Sequence, residues 1–140
     1  LAFEPKTRWA MDWYYPVLSG ALTGPAAEAS LAARWDEFCM VGKGIRCVND
    51  EPWVTASETA EASISHAVIG DLTTATDLLA WTRPHRLPDG AYLTGIVYPS
   101  RETFPPNETS AYTSAAVILA ADAITGSSPA SKIFVPRCLD

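Results

Sequence analysis

Asp12 and Glu58 each stand twelve residues before a glycine, Gly24 and Gly70, that closes an Ala-x-x-Gly tetrapeptide, and Ser114 holds the same place before Gly126. Two carboxylates at matching positions on neighbouring helices are expected to face one cavity, where a pair of acids can divide proton transfer and nucleophilic work between them. Aromatic side chains gather in the same places: Trp9, Trp13, Tyr14, Tyr15, Trp53 and Tyr112 all fall near expected helix starts. Their ring faces stabilise a carbocation through cation–π attraction, or stack on a sugar ring. The sequence therefore offers Asp12 and Glu58 as catalytic candidates, with Trp9, Trp13, Tyr14, Trp53, Glu108 and Tyr112 as substrate-binding candidates. Helix capping by Asp12, a satisfied polar role for Glu58 and ordinary core packing for each aromatic are the plainer alternatives. Free N–H groups and the positive end of a helix dipole favour the ionised form of a nearby carboxyl, which suits a base or nucleophile better than a proton donor.

Other chemistries leave little trace. Asp36, Cys39 and His66 are the one loose zinc set, without the tight ligand pair such a site needs, so no metal and no cofactor are expected. No G-x-S-x-G, phosphate loop or dinucleotide fingerprint occurs, and Ser57 and Ser110 read as helix-start residues. Three cysteines, Cys39, Cys47 and Cys138, lack C-x-x-C spacing and read as reduced thiols, with a Cys39–Cys47 disulfide open to an exported protein. Ten Lys and Arg against 16 Asp and Glu give a net charge of −6, which argues against a nucleic-acid backbone as partner. A 48% hydrophobic and 19% charged composition suits a folded domain. Ala115–Ala123, the best apolar stretch, is interrupted at Asp122, so no membrane span is expected. Leu1 to Arg8 has no signal-peptide core, and a cytoplasmic location is expected.

The elements that must carry these residues repeat. Gly24 and Gly70 lie 46 residues apart, as do Trp35 and Trp81 and Gly44 and Gly90, while Gly126 follows Gly70 by 56. Each unit reads as a helix ended by its glycine, a second helix, and an extended crossing. Ala-, Ser- and Thr-rich helices near Tyr14–Thr23, Thr55–Ile69 and Thr109–Ile124 can pack closely on both sides. Those at Ala26–Phe38 and Leu72–Arg83 carry more charge and suit an outer, wetted position. Pro25 and Asp71 are good helix-start residues. The expectation is an all-α fold over residues 1–140 as a single domain, an arc of an α/α toroid built of helical hairpins with long extended crossings. Gly24 and Gly70 are expected at positive φ directly after a helix.

Arg86-Leu87-Pro88-Asp89-Gly90-Ala91-Tyr92 resembles a degenerate Q-x-x-D-G-S-W motif of squalene and terpenoid cyclases and protein prenyltransferases, whose toroids carry it between an outer and an inner helix. Trp9 to Leu18, Arg46 to Thr55 and Asp89 to Gly95 are similar to uncharacterised actinobacterial proteins described as prenyltransferase-like. The resemblance implies the C-terminal part of a longer toroid that handles a small apolar or isoprenoid ligand, as a transferase or cyclase. The D-x-D-D acid of the cyclases is absent. A carbohydrate-active or sugar-binding toroid, using aromatics and paired carboxylates, is the alternative, and a non-catalytic scaffold is a third. An incomplete ring leaves apolar edges, so the remainder of the toroid or a second copy is expected to cover them.

Overall fold

The fold is organised around one helix that touches almost no water. A computed structural model describes residues 6–135. In chain order these form α1 (Met11–Leu18), α2 (Gly24–Ala33), α3 (Trp35–Phe38), β1 (Cys39–Met40), β2 (Gly44–Ile45), β3 (Trp53–Thr55), α4 (Ala56–Val68), α5 (Leu72–Trp81), a 3-10 turn at Arg83–His85, β4 (Gly95–Val97), β5 (Glu102–Thr103), α6 (Ala111–Thr125) and α7 (Ser131–Phe134). Every residue of α4 from Ala56 to Ala67 is buried. Its Ala, Ser and Thr side chains are small enough for α1, α5 and α6 to pack against it together. Buried hydroxyls then need acceptors. Ser63 Oγ donates to the Ala75 carbonyl of α5 at 2.7 Å, and Ser65 Oγ donates to the Glu61 carbonyl at 3.1 Å.

Two apolar clusters flank α4. On one side Trp13, Tyr14 and Val17 of α1 meet Leu31, Phe38 and Ala62. On the other, Ala60, Ile64 and Ala67 meet Ala75 of α5 and Val117 and Ala120 of α6. Local signals set the ends of the outer helices. The Asp71 carboxyl accepts from the Thr74 N–H at 3.1 Å at the start of α5, as its position suggested. Ser110 caps α6 through the Thr113 N–H at 3.0 Å, and Gly126 ends that helix with φ +64°.

The expected all-α toroid arc is not what the chain builds. The extended crossings pair with one another: β1 and β2 form a two-stranded antiparallel sheet, and β3, β4 and β5 form a three-stranded one. Backbone N–H and C=O groups in a crossing laid against a buried helix need partners, and strand pairing supplies them. The helix limits shift as well. α1 ends at Leu18 with Gly20 at φ +75° just beyond, and the span expected over Ala26–Phe38 breaks at Arg34. Gly24 has a positive φ, +57°, but opens α2 instead of closing α1, whereas Gly70 at φ +83° follows the end of α4.

Gly44 shows how tightly the small sheet lies on α4. It has φ +132°, and a Cβ there would meet Thr59 Oγ1 at 2.5 Å and Val54 Cγ1 at 2.7 Å. The same Thr59 hydroxyl accepts from the Ile45 N–H at 2.9 Å. Gly44→Ala is expected to lower unfolding free energy by about 2–3 kcal/mol through overpacking, read by urea denaturation. A loss under about 0.5 kcal/mol, the scale of an ordinary surface change, would contradict this packing. Among the described residues no helix is long and apolar enough to cross a membrane.

Candidate active site

Three helices converge on one carboxyl group. Tyr14 of α1 donates its phenol hydrogen to Glu61 Oε2 at 2.5 Å, and Tyr112 of α6 donates to Glu61 Oε1. Glu61 is 9% exposed, on a helix made mostly of small Ala, Ser and Thr residues. It also lines a pocket of about 100 Å³ with Tyr112, Leu18, Ile64, Ala116 and Leu119. Burial lifts its carboxyl above the ordinary glutamate value. The hydrogen bonds from Tyr112 and Tyr14 pull the other way, and the nearby charge of Glu58 adds to the rise. Burial, with the Glu58 and Glu61 charges, likewise raises Tyr14. Burial and the bond to Glu61 raise Tyr112, so both phenols keep their protons as donors.

Glu58 sits three residues earlier on α4, in its first turn. Its Oε2 accepts from the Thr55 hydroxyl and from Ser57 Oγ at 2.7 Å, and Cys47 Sγ lies 3.5 Å from Oε1. Residues three apart on a helix have β-carbons about 5–6 Å apart, so Glu58 and Glu61 form a pair on one face. A buried carboxyl with a raised pKa beside a second carboxyl oriented by hydroxyls is an arrangement that can donate a proton and support a developing positive charge.

The other expected residues divide. The N-terminal ends of α1, α4 and α6 do lie at one end of the molecule. The Ala10 N–H bonds the Cys47 carbonyl at 3.0 Å beside Glu58, the Ala56 N–H bonds the Thr94 carbonyl at 3.1 Å, and the Thr94 N–H bonds the Glu108 carbonyl at 2.9 Å. Tyr14 and Tyr112 meet there on Glu61, three residues after Glu58. Glu108 is exposed and accepts from Thr94 Oγ1 at 2.8 Å. Asp12 is half-buried in the first turn of α1, where it makes no side-chain cap. Trp13 is a core residue, stacked on Phe38 at 5.4 Å with its indole N–H shared between the Ser30 and Leu31 carbonyls. Trp53 is held by Phe104, through its indole N–H to the carbonyl at 3.0 Å and an edge contact at 5.2 Å. Trp9 lies 41% exposed under the Arg8 guanidinium. Glu61 is not among the residues that the repeat singles out. The signal for it was a second acid one turn after Glu58 in an otherwise small-residue, buried helix.

The remaining candidates are quiet. Cys39 and Cys47 are free, buried thiols, each pushed up to about 12 chiefly by burial, and so are poor nucleophiles. Cys138 lies outside the described residues. Among the described residues no three His, Cys, Asp or Glu side chains are grouped to hold a metal ion. The Asp-Gly pair within Arg86–Tyr92 has a local explanation. Arg86 and Tyr92 bridge an antiparallel turn, Asp89 Oδ1 accepts from the Ala91 N–H at 3.0 Å, and Gly90 takes φ +93°. Turn geometry alone calls for both residues.

No family model matches the chain. It is 48% identical over 143 residues to a protein of Mycolicibacterium hassiacum named MMP endo-(1,4)-3-O-methyl-alpha-D-mannosidase. The match covers 99% of this chain and 40% of that protein's length. The name is that of a carbohydrate-active enzyme, and it overturns the expected placement among squalene cyclases and prenyltransferases together with the isoprenoid ligand. The carbohydrate alternative agrees with it better.

Proposed function

We propose that this chain forms part of a glycoside hydrolase that cuts within an α-linked, O-methylated mannose polymer. The observation that carries the proposal is the 48% identity across 99% of the chain to a protein named for that activity. The acid cluster on α4 supplies matching chemistry. Glycosidases use two carboxyl groups flanking the scissile bond, one of which protonates the leaving oxygen as an oxocarbenium-like transition state develops. Glu61 is the proton donor, because burial holds it protonated to higher pH than a free glutamate. Tyr14 and Tyr112 fix the direction of its carboxyl group. Glu58 is the second carboxyl, aimed by Thr55 and Ser57. The exposed edge of Tyr112, 58% accessible, is the side from which a sugar reaches the cluster.

The test is product analysis. The full-length protein is incubated with an α-1,4-linked oligosaccharide of 3-O-methylmannose, and new reducing ends are counted while fragment sizes are read by mass spectrometry. Internal cleavage into shorter oligosaccharides is expected. An intact oligosaccharide after prolonged incubation with folded protein would overturn the proposal.

A further inference from the structure

A second set of polar groups lies at the other end of α4, in a groove of about 650 Å³ between α2–α3 and the turn from α4 into α5. Its centre is His66, which is 7% exposed. His66 Nδ1 lies 3.2 Å from Asp71 Oδ2, while Nε2 is buried and has no hydrogen-bond partner among the described residues. Burial lowers the His66 pKa and keeps the ring neutral, with the Asp71 contact opposing the shift. With Nδ1–H donating to the carboxylate, Nε2 is left as a bare acceptor. A buried acceptor without a donor is costly, so the position is built for a group that brings one.

The rest of the groove narrows the choice. Glu28 and Asp36 add acceptors, and among the described residues no lysine or arginine lines the groove, which disfavours phosphate and carboxylate ligands. Trp35 makes an edge contact with the His66 ring at 5.4 Å and also lines the groove, alongside Leu31 and Ile69. The occupant must therefore be rich in hydrogen-bond donors and also carry an apolar face. A pyranose meets both demands, with hydroxyls around its rim and C–H groups on its face.

We propose that this groove is a glycan-binding subsite separate from the acid cluster, in which Trp35 is the platform for a pyranose ring and His66 Nε2 and Asp36 accept its hydroxyls. The geometry stands alone, whereas the choice of a neutral glycan rests on the hydrolase reading. His66 is five residues beyond Glu61, about 7.5 Å of helix rise and about 140° around the helix, so a polymer bound in the groove is held without occupying the acid cluster. That placement suits an enzyme cutting within a long chain, which gains by holding the polymer at a second point.

The experiment is a titration of the full-length protein, carrying Glu61→Gln to stop turnover, with an α-1,4-linked 3-O-methylmannose oligosaccharide. The ¹⁵N resonances of the His66 ring and the Trp35 indole are followed. Saturable shifts at both are expected, with binding at this locus weakened about tenfold by Asp36→Asn, the scale of one hydrogen bond to a charged group. Asp36 is exposed, so that variant is expected to melt as its parent does. Shifts at His66 and Trp35 in a protein whose unsubstituted form cuts no glycan would uphold the subsite and sink the hydrolase reading. Cleavage of glycan with both resonances unmoved would do the reverse. Shifts produced by spermidine but not by the oligosaccharide would overturn the proposal in favour of an organic-cation site.

Discussion

Glu61→Gln is expected to lower kcat for glycan cleavage by about 10²- to 10⁴-fold, the range for removing a positioned general acid. The amide keeps the shape, its one oxygen accepts from one of the two phenols and its N–H donates to the other phenol oxygen once that hydroxyl turns, so KM should change little. In the parent enzyme the alkaline limb of the pH–rate profile should follow Glu61, whose raised pKa reflects burial first and then Glu58, against the pull of Tyr112 and Tyr14. Activity falls as pH rises through that value, and the limb vanishes in the variant. Equal pH profiles for the two proteins would remove Glu61 from the role of acid.

The same substitution has an opposite effect on stability. A carboxyl whose pKa is higher in the folded than in the unfolded chain binds more protons when folded, between the two values. Stability of the parent therefore declines as pH rises from the unfolded glutamate value, about 4.3, through the folded one. Glutamine does not titrate. The variant should gain on its parent over that window, as measured by urea denaturation at several pH values. A constant difference across the window would show that burial imposes no penalty on the Glu61 charge.

Trp13→Ala is expected to cost about 3–5 kcal/mol, the range for deleting a large buried aromatic. Trp13 is 2% exposed, stacks on Phe38, meets Trp35 edge-on at 6.4 Å and gives its indole N–H to two carbonyls of α2. Most small domains have only about 5–15 kcal/mol in hand, so the variant should unfold far more readily. A variant of parental stability with weakened saccharide binding would instead return Trp13 to the ligand-contacting role its position first suggested.

Features set by neighbouring residues are legible in the sequence, and those set by distant contacts are not. Asp71 as a cap and Gly70 as a helix end follow from a few neighbouring residues, and both are found. The Ala-, Ser- and Thr-rich runs marked α4 and α6 as helices that pack on several sides. The sheets were invisible because strands of two or three residues, such as Cys39–Met40 and Gly95–Val97, are too short to show alternation. The pairing of Trp53–Thr55 with Gly95–Val97 also joins segments about forty residues apart. Reading the repeat for equivalent carboxylates led to Asp12 and Glu58. The cluster that forms is built from unlike residues, Tyr14, Glu61 and Tyr112, which hold no equivalent repeat positions. Only the packing of α1 and α6 on α4 reveals it. The Asp-Gly turn at Asp89 misled for a related reason, since a backbone requirement can reproduce part of a family's signature.

The most direct test of Glu61 as the acid of a glycan-cleaving site is a crystal structure of full-length Glu61→Gln protein with an uncut α-1,4-linked 3-O-methylmannose oligosaccharide. The predicted result is a glycosidic oxygen within about 3.2 Å of the position-61 side chain, with Tyr112 against the sugar. An oligosaccharide bound with no glycosidic oxygen near that side chain, and the Tyr14 and Tyr112 phenols still closed over it, would contradict the account.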